Sequence, residues 1–145
     1  MKLPEYVTIE EVKRVCRELG IRDWTTLPEP SITEEEAEKI LAEVNPGKMP
    51  IAIDDFRTGL EVELEHGMVY PDSNVTNNHP VLTGMIVMAH MHETLDYYQR
   101  LEVAELEGDV LKAAVEEDAA RLMSKYRKLV EARKALADAE NRQLG

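Results

Sequence analysis

Apolar positions along the chain recur mostly every three or four residues, not at alternate residues. That spacing predicts helices almost throughout. In residues 8–20, Ile9, Val12, Val15, Cys16 and Leu19 form one stripe. Thr8 stands where an N-cap belongs, Glu11 holds the position of a reciprocal capping box, and Gly20 suits a left-handed C-cap. A connector with two prolines follows, and Trp24 within it is expected to pack over the edge of the core. Residues 33–45 predict a second helix, with Thr33 as cap, acids in the first turn, and Asn45-Pro46-Gly47 as its end.

The stretch GLEVELEHG (residues 59–67) is the one place where the pattern is ambiguous. Glu61, Glu63 and Glu65 alternate with Val62 and Leu64, as in a half-buried strand, but only for about five residues. Read as a helix from Asp54 or Asp55 as cap, the whole segment fits. Phe56, Gly59, Leu60, Glu63 and His66 then share one side and Gly67 ends it. A polar loop follows, and Asn78 is the expected cap of a helix with Pro80 in its first turn. That helix is predicted to run unbroken to about Glu107, its first half apolar nearly all round and so the most buried element. Gly108-Asp109 either breaks or bends the chain before a last long helix. In it Val110, Ala114, Leu122, Leu129 and Leu136 recur at loose heptad spacing. The expected fold is all-α. It has an N-terminal helical module (1–50), a compact helical core (51–107) and a long C-terminal helix (108–145), within one structural domain.

Charge narrows the range of partners. The 145 residues hold 17 Lys and Arg against 29 Asp and Glu, a net charge of -12. So acidic a chain repels phosphate backbones and anionic membrane surfaces, so neither nucleic acid nor membrane is an expected partner. The best apolar run, VLTGMIVMAHM, is too short to span a bilayer. The opening MKLPEYVTIEE lacks the apolar stretch of a signal peptide, and the expected location is cytoplasmic. Cys16 is the single cysteine, so any metal would have to be held by histidine and carboxylate.

All four histidines fall between positions 66 and 92. Glu63 and His66, three apart, stack on one helical face, and His90 and Glu93 do the same on the next helix. Imidazole and carboxylate together suit iron, zinc or manganese. Helical bundles build such sites from Glu-x-x-His on facing helices. This chain has one such motif and one reversed, and no His-Glu-x-x-His. The expected ligands are Glu63, His66, His90 and Glu93, with Asp96, His79 and Tyr97 as secondary candidates. Against this stands a structural reading, in which Glu63 pairs with Arg57, Arg100 or Lys112 and the histidines are hydrogen-bonded. In a simple hairpin His90 would lie about 15 Å beyond His66 by helical rise, unless the loop runs back along the helix. Met85, Met88 and Met91 read as core filling, and the sequon at Asn74 reads as a turn.

GLEVELEHG, NVTNNHPVLTG and AHMHETLDYYQRLE, taken together, resemble a small prokaryotic and phage family known only as a domain of unknown function. The resemblance spans the middle third of the chain. It falls on Glu63, Glu65, His66, Gly67, Asn74, Thr76, Thr83, Gly84, His90, Glu93, Asp96 and Tyr97. Asn78 and His79 stand where that family usually has acids, and Met85 where it has a lysine. The resemblance implies that the Glu/His cluster belongs to the family pattern, and it implies no activity.

Two functions follow as expectations. One is a small helical protein binding a divalent metal through Glu63, His66, His90 and Glu93. The other is a non-enzymatic structural or assembly protein, phage-derived, whose polar cluster is a structural network and whose last helix mediates self-association into a homo-oligomer. Neither names a small-molecule ligand.

Overall fold

The computed structural model describes residues 6–145. Among them there are six α-helices and no strand, so the all-α expectation holds. The helices are α1 (Ile9–Leu19), α2 (Glu34–Val44), α3 (Ile53–Val69), α4 (Pro80–Glu93), α5 (Tyr97–Val115) and α6 (Ala119–Leu144). Short 3-10 turns lie at Trp24–Thr26 and Pro71–Ser73. Chain contacts divide the molecule after His92 into two compact units.

In the first unit the local signals mostly act as read. The Thr8 hydroxyl accepts from Glu11 N, and Gly20 closes α1 with a left-handed φ of 63°. Glu11 does not complete the box; its carboxylate takes two bonds from Arg14 instead. The complete capping box is on α2, between Thr33 and Glu36. The buried Glu36 also receives Arg22 in a two-bond grip, Nε to Oε1 at 3.0 Å and Nη2 to Oε2 at 2.6 Å. Burial is the largest single influence and works to raise the Glu36 pKa, but the Arg22 bonds and the Thr33 N–H together outweigh it and bring it down to about 2. Trp24 is fully buried, not at the core's edge. α3 begins without a side-chain cap, at Ala52. Asp54 and Asp55 lie in its first turn, where carboxylates favour the helix dipole.

The unit is held around Val12, Ile40, Phe56, Leu60, Leu64 and Val87, all essentially without exposure. Gly84 on α4 packs tightly against α2. A Cβ there would lie 2.7 Å from Ile40 Cγ2 and 3.2 Å from Val44 Cγ1.

The long helix predicted from Pro80 to Glu107 is interrupted. α4 stops at Glu93 and α5 starts at Tyr97, with a turn between. Apolar periodicity does not register the break, because a polar arrangement makes it. Asp96 is buried, accepts from the Thr94 hydroxyl, and receives Arg100 Nε and Nη2 at 2.9 and 2.8 Å. A threonine and aspartate that bond locally compete with helix continuation.

The second unit is the antiparallel hairpin of α5 and α6. Leu106, Leu129 and Ala132 form its seam, flanked by Val103 and Val110. Ion pairs Arg100–Glu140, Glu107–Arg133, Asp109–Lys125 and Glu116–Arg121 set its register. Gly108 does not separate two helices; α5 runs through it. The turn comes at residues 116–118, where Glu117 takes φ 55° and the Asp118 side chain caps α6 by accepting from Arg121 N.

Two glycine-to-alanine changes should therefore have opposite signs. Gly84→Ala forces a methyl against a buried β-branched side chain and is expected to cost about 1–3 kcal/mol. Gly108→Ala meets open space in a helix interior and should gain about 0.5–1 kcal/mol. Urea unfolding of both variants checks the pair, and a stabilised Gly84→Ala would contradict the close approach.

Candidate functional site

α3 turns Phe56, Leu60 and Leu64 inward. Glu63, one position round, is drawn into partial burial with 15% of its side chain exposed. A carboxylate so placed requires a compensating donor. His90 on α4 supplies one: its Nδ1 lies 3.2 Å from Glu63 Oε1. On the other side His66 Nδ1 stands 4.0 Å from Oε2, with its side chain half exposed. One carboxylate thus sits between two imidazoles. The cations considered from the sequence are engaged elsewhere: Arg57 with Asp54, Arg100 with Asp96 and Glu140, Lys112 with Asp109.

His90 reaches Glu63 because the chain between α3 and α4 runs back, and its asparagines hold it there. Asn74 Nδ2 donates to Gly67 O at 3.2 Å and to Asn78 Oδ1 at 2.8 Å. The two amides lie so close over Gly67 that a Cβ there would be 2.5 Å from Asn78 Oδ1. Asn77 and Asn78 both take left-handed backbone, and Asn77 Nδ2 reaches Val7 O at 2.6 Å. Asn74, the sequon residue, is therefore spent on packing the loop.

Asn78, expected as the cap of α4, is not; His79 takes that place. The buried His79 accepts the Leu82 N–H on Nδ1 at 3.3 Å, directly ahead of Pro80. Burial pushes its pKa below the ordinary histidine value, only partly opposed by the Glu11 carboxylate. An imidazole nitrogen that accepts a hydrogen bond must be unprotonated, so bond and pKa direction agree. The sequence reading missed this role, because histidine is seldom counted among N-cap residues. The signal that could have found it is its place one residue before a helical proline.

A cleft of about 250 Å³ opens beside this cluster. Glu63, His66, Tyr70, Asn74, Thr76 and Ile86 are among its walls. They offer an anionic acceptor, an imidazole, an amide and a hydroxyl to whatever enters.

Of the expected ligands, Glu63, His66 and His90 come together in the first unit. Glu93 opens the second unit and is exposed. Asp96 and Tyr97 also belong to the second unit. Asp96 is held by Thr94 and Arg100, and Tyr97 stacks edge-on against Tyr98 at 5.2 Å. Burial works to raise the Asp96 pKa, but Arg100 and the Thr94 hydroxyl, with a backbone bond, together outweigh it and keep the pKa lowered. Among the described residues, no group of three or more His, Cys, Asp or Glu side chains is arranged to hold a metal ion. Nor is any helix among them long and apolar enough to cross a membrane.

The family model described as protein of unknown function (DUF5661) matches residues 12–107. The match runs from within α1 into α5 and leaves α6 outside. No curated protein and no solved structure shows a significant similarity to the chain.

His79 gives the site a pH dependence with a definite sign. Its folded pKa is depressed, so the unfolded chain binds the proton more readily. Stability is then full above the unfolded value, about 6.5, and falls as pH drops below it. His79→Asn keeps a capping side chain but removes the titration. Between pH 7 and 5.5 its melting temperature should decline less than the parent's. Equal declines would show that His79 does not cause the loss.

Proposed function

We propose that this chain, which belongs to the DUF5661 family of proteins of unknown function, is a non-enzymatic structural or assembly module. Its polar cluster serves to lock the first unit. The observation that carries this reading is how the cluster's side chains are used. Glu63 meets His90 from α4, Asn74 holds Gly67 and Asn78, and His79 caps α4. Glu63–His90 joins α3 to α4 and Asn74–Gly67 joins the loop to the end of α3, while the Asn74–Asn78 and His79 contacts fix the shape of the loop and the start of α4. In this reading the second unit, a hairpin, is the part that meets other molecules.

Removing one partner of such a contact leaves the other desolvated without compensation, at about 1–3 kcal/mol. Glu63→Gln and His90→Ala should each lower the urea midpoint accordingly. The double variant should lose less than the sum, because the two act as one contact. Additive losses, or no loss, would remove the support for a lock.

One observation favours a second reading, a divalent metal such as iron, zinc or manganese held by Glu63, His66 and His90. The carboxylate oxygens lie 3.2 and 4.0 Å from the two imidazole nitrogens. Donors bound to one small cation at about 2.0–2.1 Å are roughly 3.4 Å apart in a tetrahedral shell. His66, half exposed, has room to turn towards that spacing. Elemental analysis of untagged protein decides between the readings. Stoichiometric metal that disappears in both Glu63→Ala and His90→Ala would establish the second. No metal after attempted reloading, together with the stability losses above, would establish the first.

A further inference from the structure

The cleft beside Glu63 and His66 combines an apolar side with a polar one. Three of the large apolar side chains left exposed in the first unit, Tyr70, Val75 and Ile86, stand together at its walls. The cleft measures about 250 Å³. Clefts that take drug-sized ligands run to roughly 300–1,000 Å³, so an occupant here is small.

The polar walls are rich in acceptors and poor in donors. The Glu63 carboxylate has several acceptor positions, so the approach of His90 does not exhaust it. His66 turns Nδ1 towards that carboxylate at 4.0 Å. With the hydrogen on Nδ1, its Nε2 is an acceptor. Asn74 spends both amide hydrogens, one on Gly67 O and one on Asn78 Oδ1. The Thr76 hydroxyl donates to Asn74 Oδ1 at 3.4 Å, which leaves its oxygen to accept. The hydroxyls of Tyr70 and Ser73 serve either way. No lysine or arginine among the described residues lines the cleft. A fitting ligand therefore brings hydrogens instead of taking them. Positive charge suits the Glu63 carboxylate and a chain of net charge -12. The Tyr70 ring favours the same sign, because the face of an aromatic ring attracts a cation. An anion finds no counter-charge here, and a bare metal ion leaves the apolar walls unused.

We propose that this cleft binds a small primary alkylammonium ion, its N–H groups taken by Glu63, His66 and Thr76 and its alkyl chain laid against Tyr70, Val75 and Ile86. The lock reading needs only the contact of Glu63 with His90 and gives the cleft no occupant, so this inference goes beyond it.

The test follows the methyl resonances of Val75 and Ile86 by NMR as n-butylammonium is added to the full chain at pH 8. EDTA is present to keep metal ions from the same donors. Saturable shifts of both residues are expected. Two control solutes separate the contributions: n-butanol has the same chain without the charge, and tetramethylammonium has the charge without N–H groups. Each should bind about tenfold more weakly or worse, the effect of losing a hydrogen bond to a charged group. Glu63→Gln should weaken n-butylammonium by a similar factor. Ile86→Trp fills the cleft from a partly exposed position and leaves Glu63 and His90 in place, so the Val75 shifts should disappear. Circular dichroism checks both variants, and if Glu63→Gln does not fold, Ile86→Trp and the control solutes decide. Shifts that do not saturate would overturn the proposal. So would either control solute binding as tightly as n-butylammonium, or Val75 shifts in Ile86→Trp equal to the parent's. None of these outcomes touches the lock, which is read from urea midpoints.

Discussion

The contact between Glu63 and His90 is the constraint on which the first unit is arranged. A carboxylate on the inner half of α3 cannot stay charged at low exposure without a donor close by. The donor is on the next helix, so the chain after α3 must return along it instead of leading away. That return requires a loop that reverses sharply and lies flat. Asn77 and Asn78 supply the left-handed backbone, and the Asn74 amide ties the loop to the end of α3. Gly67 leaves room for both amides, and His79 starts α4 where the loop delivers it.

The same rule recurs elsewhere with other partners. Glu36 is buried at the start of α2 and is met by Arg22 from the connector before it. Asp96 is buried at the start of α5 and is met by Arg100 one turn on. In each case the arginine side chain is about half exposed while the carboxylate lies inside, so the guanidinium brings solvent-side charge to a buried group. This suits arginine, whose planar donors fit a carboxylate with two bonds. Glu63 differs in having imidazoles, which bear charge only when protonated. That is why its neighbourhood, and not the arginine-paired acids, raises the question of a metal.

Within the motif that carries the family resemblance, structure accounts for more residues than chemistry does. Gly67 and Gly84 are places where backbone or a neighbouring helix comes too close for a side chain. Asn74 holds the loop, Thr83 is buried, and Asp96 interrupts the helix. Glu65, His66, Glu93 and the walls of the small cleft are the part of the motif that meets solvent. The family match ends within α5 and leaves α6 outside it.

The helical class, the caps of α1 and α2 and the course of α3 through GLEVELEHG are legible in the sequence, because they follow from periodicity and from side chains acting within one turn of their own backbone. Glu63 and His66 could be placed on one face for the same reason. The meeting of Glu63 with His90, the histidine cap of α4 and the interruption at Thr94–Asp96 could not, because each depends on which distant or buried partner is within about 3 Å. Periodicity records which positions avoid water. It does not record whether a polar residue among them finds its partner one turn away, across a loop, or on another helix, and only the tertiary structure decides that.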